Sequence, residues 1–363
     1  MFRKFSLLLI LLAVYSYNVL GQEVSVSKKG TTEICPKNIV LLIGDGMGLS
    51  QVSASLFYNE GKSNFERFPV VGLIKTSASG DLVTDSAAAA TAFASGVKTY
   101  NGAIGVDKDS KPVPTIVEQF SAKGMATGII ATSSITHATP ACFYAHVQDR
   151  DQAYDIAAFL PKSDIDFFAG GGRKYFNKRK DNINLLNELE TGGFVVSLDK
   201  LPVKNSDGKQ AILLAENEMP KMQEGRGNFL LDATRLALEN LSKNKEGFFL
   251  MVEASQIDWG GHDNDTNYLI QEQLDFDKTI GLVLDFAAKN SETLVLVTAD
   301  HETGGFTLAI DNGDYNKIKP SFSTGGHSAT MVPVFAMGPG AYLFGGIYDN
   351  TDIYYKMIQA IAH

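Results

Sequence analysis

Short, unbroken runs of apolar and β-branched residues alternate along this chain with longer stretches in which apolar positions recur every three or four residues. The runs are NIVLLI (38–43), VVGLIK (70–75), ATGIIAT (126–132), DFFAGG (166–171), FFLMVE (248–253), TLVLVTA (293–299) and VPVFAM (332–337). Each has the length of a strand, and the lack of polar alternation predicts strands buried on both faces. Segments 115–123, 227–242 and 267–289 carry helical spacing between them. Strands and helices in turn predict an α/β fold, with a mainly parallel central β-sheet sandwiched by helices in three layers. No internal repeat or Pro/Ser-rich linker interrupts the pattern, which predicts one domain over residues 22–363. Stretches 197–226 and 303–330 are richer in Gly, Asp, Asn, Lys and Ser and read as loop insertions.

The first 21 residues stand outside this pattern. Arg3 and Lys4 precede an apolar run from Phe5 to Val14 and a tail ending Val19-Leu20-Gly21, the layout of a signal peptide. The expectation is a mature chain beginning at Gln22 and a periplasmic or secreted location. The run is shorter than the ~20 residues a membrane helix needs, and no comparable run follows, so no membrane span is expected.

Charge narrows the function. The net charge is −9, and removing residues 1–21 takes away two basic and no acidic residues, leaving 30 Lys plus Arg against 41 Asp plus Glu. That balance excludes nucleic acid as a specific partner. An acidic protein acting on anionic substrates must concentrate positive charge locally, and bound metal ions would supply it. Two cysteines, Cys35 and Cys142, allow either one disulfide or two buried thiols.

In an open parallel sheet the functional crevice lies beyond the carboxyl ends of the strands. NIVLLI is followed by Gly44-Asp45-Gly46, FFLMV by Glu253 and then Asp258 and His262, and TLVLVTA by Asp300-His301. One Asp after a strand is ordinarily a cap or turn residue. Three arrivals of zinc-type ligands at one edge are harder to explain that way. Asp258 and His262 share a face if the segment is helical, although Gly260 and Gly261 suit a tight loop equally. Asp300 and His301 point apart on an extended strand end and would reach one metal only through a bend. His327, in the Gly-rich STGGHSAT, reads by itself as a loop histidine. His146, in FYAHVQ, reads as a satisfied core or interface histidine, and the terminal His363 as solvated.

The nucleophile candidate lies in VTDSAAAATAFASG. Six alanines among residues 87–94 predict a strong helix with Asp85-Ser86 at its start. A Ser there usually only caps; the functional alternative is that the helix N-terminus holds a phosphoryl group at Ser86, with the hydroxyl activated by a metal.

Together the strings LLIGDGMG, VTDSAAAATAFASG, ITHATPACFYAHVQDR, VEASQIDWGGH, VTADHETGGF and STGGHSAT resemble the alkaline phosphatase family, in the same order and over nearly the whole mature length. The small insertions resemble its compact bacterial members. The resemblance implies one zinc held by Asp258, His262 and His327, and a second held by Asp45, Asp300 and His301 beside Ser86. Asp45, Thr139 and Glu253 would hold a third ion, usually magnesium. It further implies that Arg150 clamps phosphate, a role suited to a planar guanidinium, and that the protein is a homodimer acting on a broad range of phosphate monoesters through a phosphoseryl intermediate at alkaline pH. His137 and Trp259 replace an Asp and a Lys of the enterobacterial form, near the third metal and phosphate. An imidazole favours softer metals than a carboxylate does, which predicts weaker magnesium retention or zinc in the third site. The competing readings are a phosphodiesterase or sulfatase of the same superfamily, and a non-catalytic metal- or phosphate-binding relative. Against them stand the lack of a C-x-P-x-R string, the presence of Arg150 with the third-site residues, and the intact Ser86 and ligand set.

Overall fold

The computed structural model describes residues 35–203 and 208–362. The expected signal peptide at 1–21 and the terminal His363 lie outside the described residues. The strands are β1 (Asn38–Gly44), β2 (Val70–Lys75), β3 (Ala126–Ser134), β4 (Phe167–Gly171), β5 (Phe194–Ser197), β6 (Lys209–Leu213), β7 (Phe248–Ala254), β8 (Thr293–Thr298), β9 (Glu302–Thr303), β10 (Thr307–Asp311), β11 (Asp314–Ser321), β12 (His327–Ser328), β13 (Val332–Met337) and β14 (Gly346–Asp349).

Ten of them form the central sheet in the order β14-β2-β13-β8-β1-β7-β3-β4-β6-β5. All pairings are parallel except those of β13, which runs against both β2 and β8. β1 lies at the middle, and every one of its residues is buried, as its unbroken apolar run predicts. Helices Leu49–Tyr58, Phe229–Leu241 and Thr266–Lys289 pack together, while Ser86–Ser95 packs with Ile116–Ala122, Ala138–Ala141 and Asp352–Ala362. The sheet is thus flanked by helices, the α/β architecture expected. Among the described residues no helix is long and apolar enough to cross a membrane.

The helix Ser86–Ser95 buries all ten of its residues. Its alanines make this feasible: small side chains let neighbouring elements approach on every side, whereas an amphipathic helix could cover only one. Cys142 remains a thiol within this packing, its Sγ 3.2 Å from the Ala87 carbonyl and 3.2 Å from the Thr91 hydroxyl.

Both stretches read as loop insertions contain sheet. Residues 209–213 of the first form β6, inserted between β4 and β5 in the central sheet. Only QAIL of that strand is buried, and the polar residues around it mask so short a run. The second stretch carries the antiparallel hairpin β10–β11 and the short β9–β12 pair, in which His327 lies opposite Thr303.

Candidate metal centre and active site

The sheet order β8-β1-β7-β3 decides which residues meet. These neighbours are parallel, so their carboxyl ends lie in a row: Asp300 and His301 beyond β8, Asp45 beyond β1, Glu253 at the end of β7, and His137 and Thr139 beyond β3. After β7 the chain enters the helix Gln256–His262, which sets Asp258 and His262 one turn apart on one face. The alternative of a tight loop does not occur. Gly260 and Gly261 instead serve close packing, since a Cβ would sit 2.6 Å from the Leu269 backbone nitrogen at Gly260 and 3.0 Å from the Thr303 carbonyl oxygen at Gly261.

Three groups of ligand atoms result, in each of which the atoms lie within 4.8 Å of one another: Asp258, His262 and His327; Asp45, Asp300 and His301; and Asp45, His137 and Glu253. In the first, Asp258 Oδ1 is 3.4 Å from His262 Nε2 and 3.6 Å from His327 Nε2, and the two imidazole nitrogens are 3.1 Å apart. His262 is the exposed member, which leaves this group open to solvent. In the second, His301 Nε2 is 3.2 Å from Asp300 Oδ2 and 3.6 Å from Asp45 Oδ1, all fully buried. The bend that lets Asp300 and His301 converge is built by Asp300 itself: its Oδ1 accepts the backbone N–H of His301 (3.0 Å) and of Gly46 (3.1 Å). The rings of His301 and His327 stack with centroids 3.5 Å apart, which joins the first two groups. In the third, His137 stands with Asp45 and Glu253, its ring edge-on to Trp259 at 5.8 Å, and the Thr139 hydroxyl is buried nearby in sequence.

The electrostatics of this region call for cations. Burial, reinforced by repulsion from Asp300, Asp258 and Glu253, holds the Asp45 carboxyl well above the usual carboxylate range. Burial likewise raises Asp300 and pushes Glu253 up to about 7. His301 and His137 are pushed down to about 3, by burial first and then by His327 and Arg150 respectively, so both imidazoles are neutral. Buried oxygens and nitrogens without a hydrogen-bond partner gather here: both of Asp45, Glu253 Oε1, Asp300 Oδ2, Thr139 Oγ1 and His137 Nδ1. Unpaired carboxylates are costly in the interior, and a divalent cation removes the cost. Neutral imidazoles and carboxylates are the ligand types such ions take, so the residues fit the group.

Ser86 opens the helix Ser86–Ser95, is buried, and places its Oγ 3.3 Å from His301 Nε2. Asp85 caps the helix, accepting the Ala88 N–H through Oδ1 at 2.9 Å. Its other oxygen accepts from Arg150 Nη1 (2.9 Å) and from the Gly102 N–H (3.0 Å). Arg150 Nη2 stands 3.3 Å from His137 Nε2, so the guanidinium lies between the helix that Ser86 opens and the third group. His146 is half-buried between the Gly105 carbonyl and Glu118, apart from these groups.

Two residues here escaped the sequence. Asp85 reads as a cap alone, and its hold on Arg150, 65 positions away, is tertiary. Thr303 lies at the edge of a stretch read as a loop, yet its buried hydroxyl touches both Asp258 and His301. Its adjacency to Asp300-His301 is the one signal the sequence offers.

Comparison with known proteins agrees with this geometry. The alkaline phosphatase family model matches residues 36–320. Alkaline phosphatase 3 of Bacillus subtilis (strain 168) is 35% identical over 425 residues, covering 93% of this chain and 91% of its own. The structure of alkaline phosphatase from the Antarctic bacterium TAB5 superposes with a TM-score of 0.89 at 52% identity, over 90% of this chain and 99% of that one. A histidine-to-aspartate variant of the TAB5 enzyme, with magnesium bound in its M3 site, is 51% identical with a TM-score of 0.88, over 90% and 98% of the two chains. On these matches, over most of its length and at up to 52% identity, this chain belongs to the alkaline phosphatase family of metal-dependent phosphomonoesterases.

Proposed function

We propose that this enzyme cleaves phosphate monoesters in two displacements, with Ser86 accepting the phosphoryl group in the first and water taking it in the second. The reading assigns Asp258, His262 and His327 to one zinc ion and Asp45, Asp300 and His301, with Ser86 Oγ, to another. Asp45, Thr139 and Glu253, with His137 beside them, are assigned to a third ion, magnesium or zinc. Divalent cations held there supply charge to the attacking and leaving oxygens and lower the pKa of a coordinated hydroxyl. The observation that carries the reading is the position of the Ser86 hydroxyl, buried at a helix N-terminus 3.3 Å from a ligand histidine.

In the first displacement the Oγ–P bond forms as the bond from phosphorus to the ester oxygen breaks, and the alcohol departs. The helix N-terminus and the Arg150 guanidinium stabilise the non-bridging oxygens, and Asp85 keeps the guanidinium aimed. In the second, a water oxygen bonds to phosphorus as the Oγ–P bond breaks, a proton returns to Ser86 Oγ to restore the hydroxyl, and inorganic phosphate leaves. Recognition is confined to the phosphate, so the organic half of the substrate varies widely. Operation at mildly alkaline pH suits a hydroxyl nucleophile that must lose its proton.

The magnesium in the M3 site of the TAB5 variant supports a cation role for the third group. His137 there favours a softer ion than a carboxylate would. Export follows from the signal-peptide pattern, with a mature domain from Gln22. A homodimer is supported by Leu49, Leu56 and Phe57, which stand exposed on one helix.

The test is phosphate release from an aryl phosphate by wild type and Ser86→Ala, before and after metal removal and zinc add-back. Activity that is lost with the metal, restored by zinc and absent from Ser86→Ala supports the reading. A fully active metal-free enzyme, or failure to trap phosphate on Ser86 at acid pH, overturns it.

A further inference from the structure

Three imidazoles turn Nε2 toward the ligand clusters, and each has its Nδ1 engaged. His262 Nδ1 lies 2.8 Å from the carbonyl oxygen of Gly325, and His327 Nδ1 lies 2.9 Å from that of Thr84. A carbonyl only accepts, so both Nδ1 atoms carry the proton and both Nε2 atoms keep a lone pair for a metal.

His301 is different. Its Nδ1 lies 3.1 Å from Thr303 Oγ1, and a hydroxyl can donate or accept. The partner on the other side of that oxygen resolves the choice. Thr303 Oγ1 donates to Asp258 Oδ1 at 2.5 Å, a carboxylate with lone pairs only. A hydroxyl has one hydrogen, so toward His301 it must accept, and the His301 proton must sit on Nδ1.

The threonine has little freedom to do anything else. It is fully buried, its N–H donates to the Gly46 carbonyl (3.1 Å), and its own carbonyl accepts from Gln51 (2.9 Å). The Gly46 and Gly261 backbones crowd its side chain, since a Cβ at either would lie 2.8 Å from Oγ1 or 3.0 Å from Cγ2.

We propose that Thr303 is a positioning residue that couples the two zinc sites, one hydroxyl orienting the Asp258 carboxylate of one and fixing the Nδ1–H tautomer of His301 in the other. The proposal rests on the metal assignments above. Without the hydroxyl, Asp258 loses a donor and His301 is free to adopt the Nε2–H form, which offers the cluster no lone pair. Both sites weaken from one change.

The variants are Thr303→Val, which keeps the shape and removes the hydroxyl, Thr303→Ala as a second hydroxyl-free form, and Thr303→Ser, which restores it. Zinc bound to each folded protein is measured against a chelator at buffered free zinc. The His301 tautomer is read from 15N-histidine spectra of metal-stripped protein. The expected result is a loss of roughly 10- to 100-fold in zinc affinity at both sites together in the valine and alanine forms, as for other residues that orient metal ligands. Serine should recover most of it, and Nε2–H signal should appear at His301 only in the hydroxyl-free forms. Zinc affinity unchanged in Thr303→Val, loss confined to one site, or no rescue by serine overturns the proposal. Wild type that binds no zinc would instead overturn the metal reading, and the tautomer spectra, which need no zinc, would still decide what Thr303 does to His301.

Discussion

Asp85 and Arg150 form a 2.9 Å ion pair in which the same carboxylate also caps the helix that begins with Ser86. The two oxygens divide the work: Oδ1 holds the helix of the proposed nucleophile, and Oδ2 holds the proposed phosphate clamp. The pair is therefore separable by mutation. Asp85→Asn keeps a good cap and removes the charge, whereas Asp85→Ala removes both. Inhibition by inorganic phosphate should weaken in both variants. Thermal stability should be lower in the alanine form than in the asparagine form by the equivalent of ~1 kcal/mol, the contribution of the cap. Equal stability in the two variants would show that the cap contributes nothing.

Removing metal should make stability fall with pH. Glu253, pushed up to about 7, and the raised Asp45 and Asp300 are protonated in the folded, metal-free protein at pH values where the unfolded chain has already ionised them. A raised carboxyl pKa therefore costs stability as pH rises from the unfolded value toward the folded one. His137 and His301, pushed down to about 3, act in the opposite sense, but only below roughly 6.5, where an unfolded imidazole takes a proton. Above that only the carboxyls remain. The melting temperature of chelator-treated protein should drop as pH rises from roughly 6.5 through about 7, by an amount that zinc add-back abolishes. A flat or rising profile for the stripped protein would mean the carboxyls are not buried together.

Gly46 has φ +71°, a conformation L-residues rarely adopt, and an added Cβ would lie 2.8 Å from the Asp258 Cα and the Thr303 hydroxyl. Gly46→Ala should cost about 1–2 kcal/mol in backbone strain alone. It should also lower zinc content, because relief of the clash displaces a ligand. Denaturant unfolding and metal analysis of the same preparation test both effects. Native stability with full zinc occupancy would be incompatible with this packing.

Trp259 stands edge-on to His137, the imidazole whose Nε2 lies 3.3 Å from the Arg150 guanidinium, and brings no charge there. Trp259→Lys should tighten inhibition by inorganic phosphate and slow turnover if product release limits it. An inhibition constant equal to that of wild type would remove Trp259 from the phosphate's surroundings.

The sequence by itself determined the kind of fold and most of the chemistry. Continuous apolar runs such as 38–43 and 293–299 can be satisfied only inside a covered sheet, and the residues that follow them must emerge at its carboxyl edge. Asp45, Glu253, Asp300 and His301 were legible for that reason. β6 was not, because four buried residues in a polar setting carry too little pattern. The tertiary structure alone decided that β8, β1, β7 and β3 lie side by side, that β9 and β12 pair to bring His327 against His301, and that Asp85 reaches Arg150. Periodicity reports which face of an element is buried. Which elements become neighbours depends on the packing of the whole chain, and hydroxyls such as that of Thr303 acquire their role only from such neighbours.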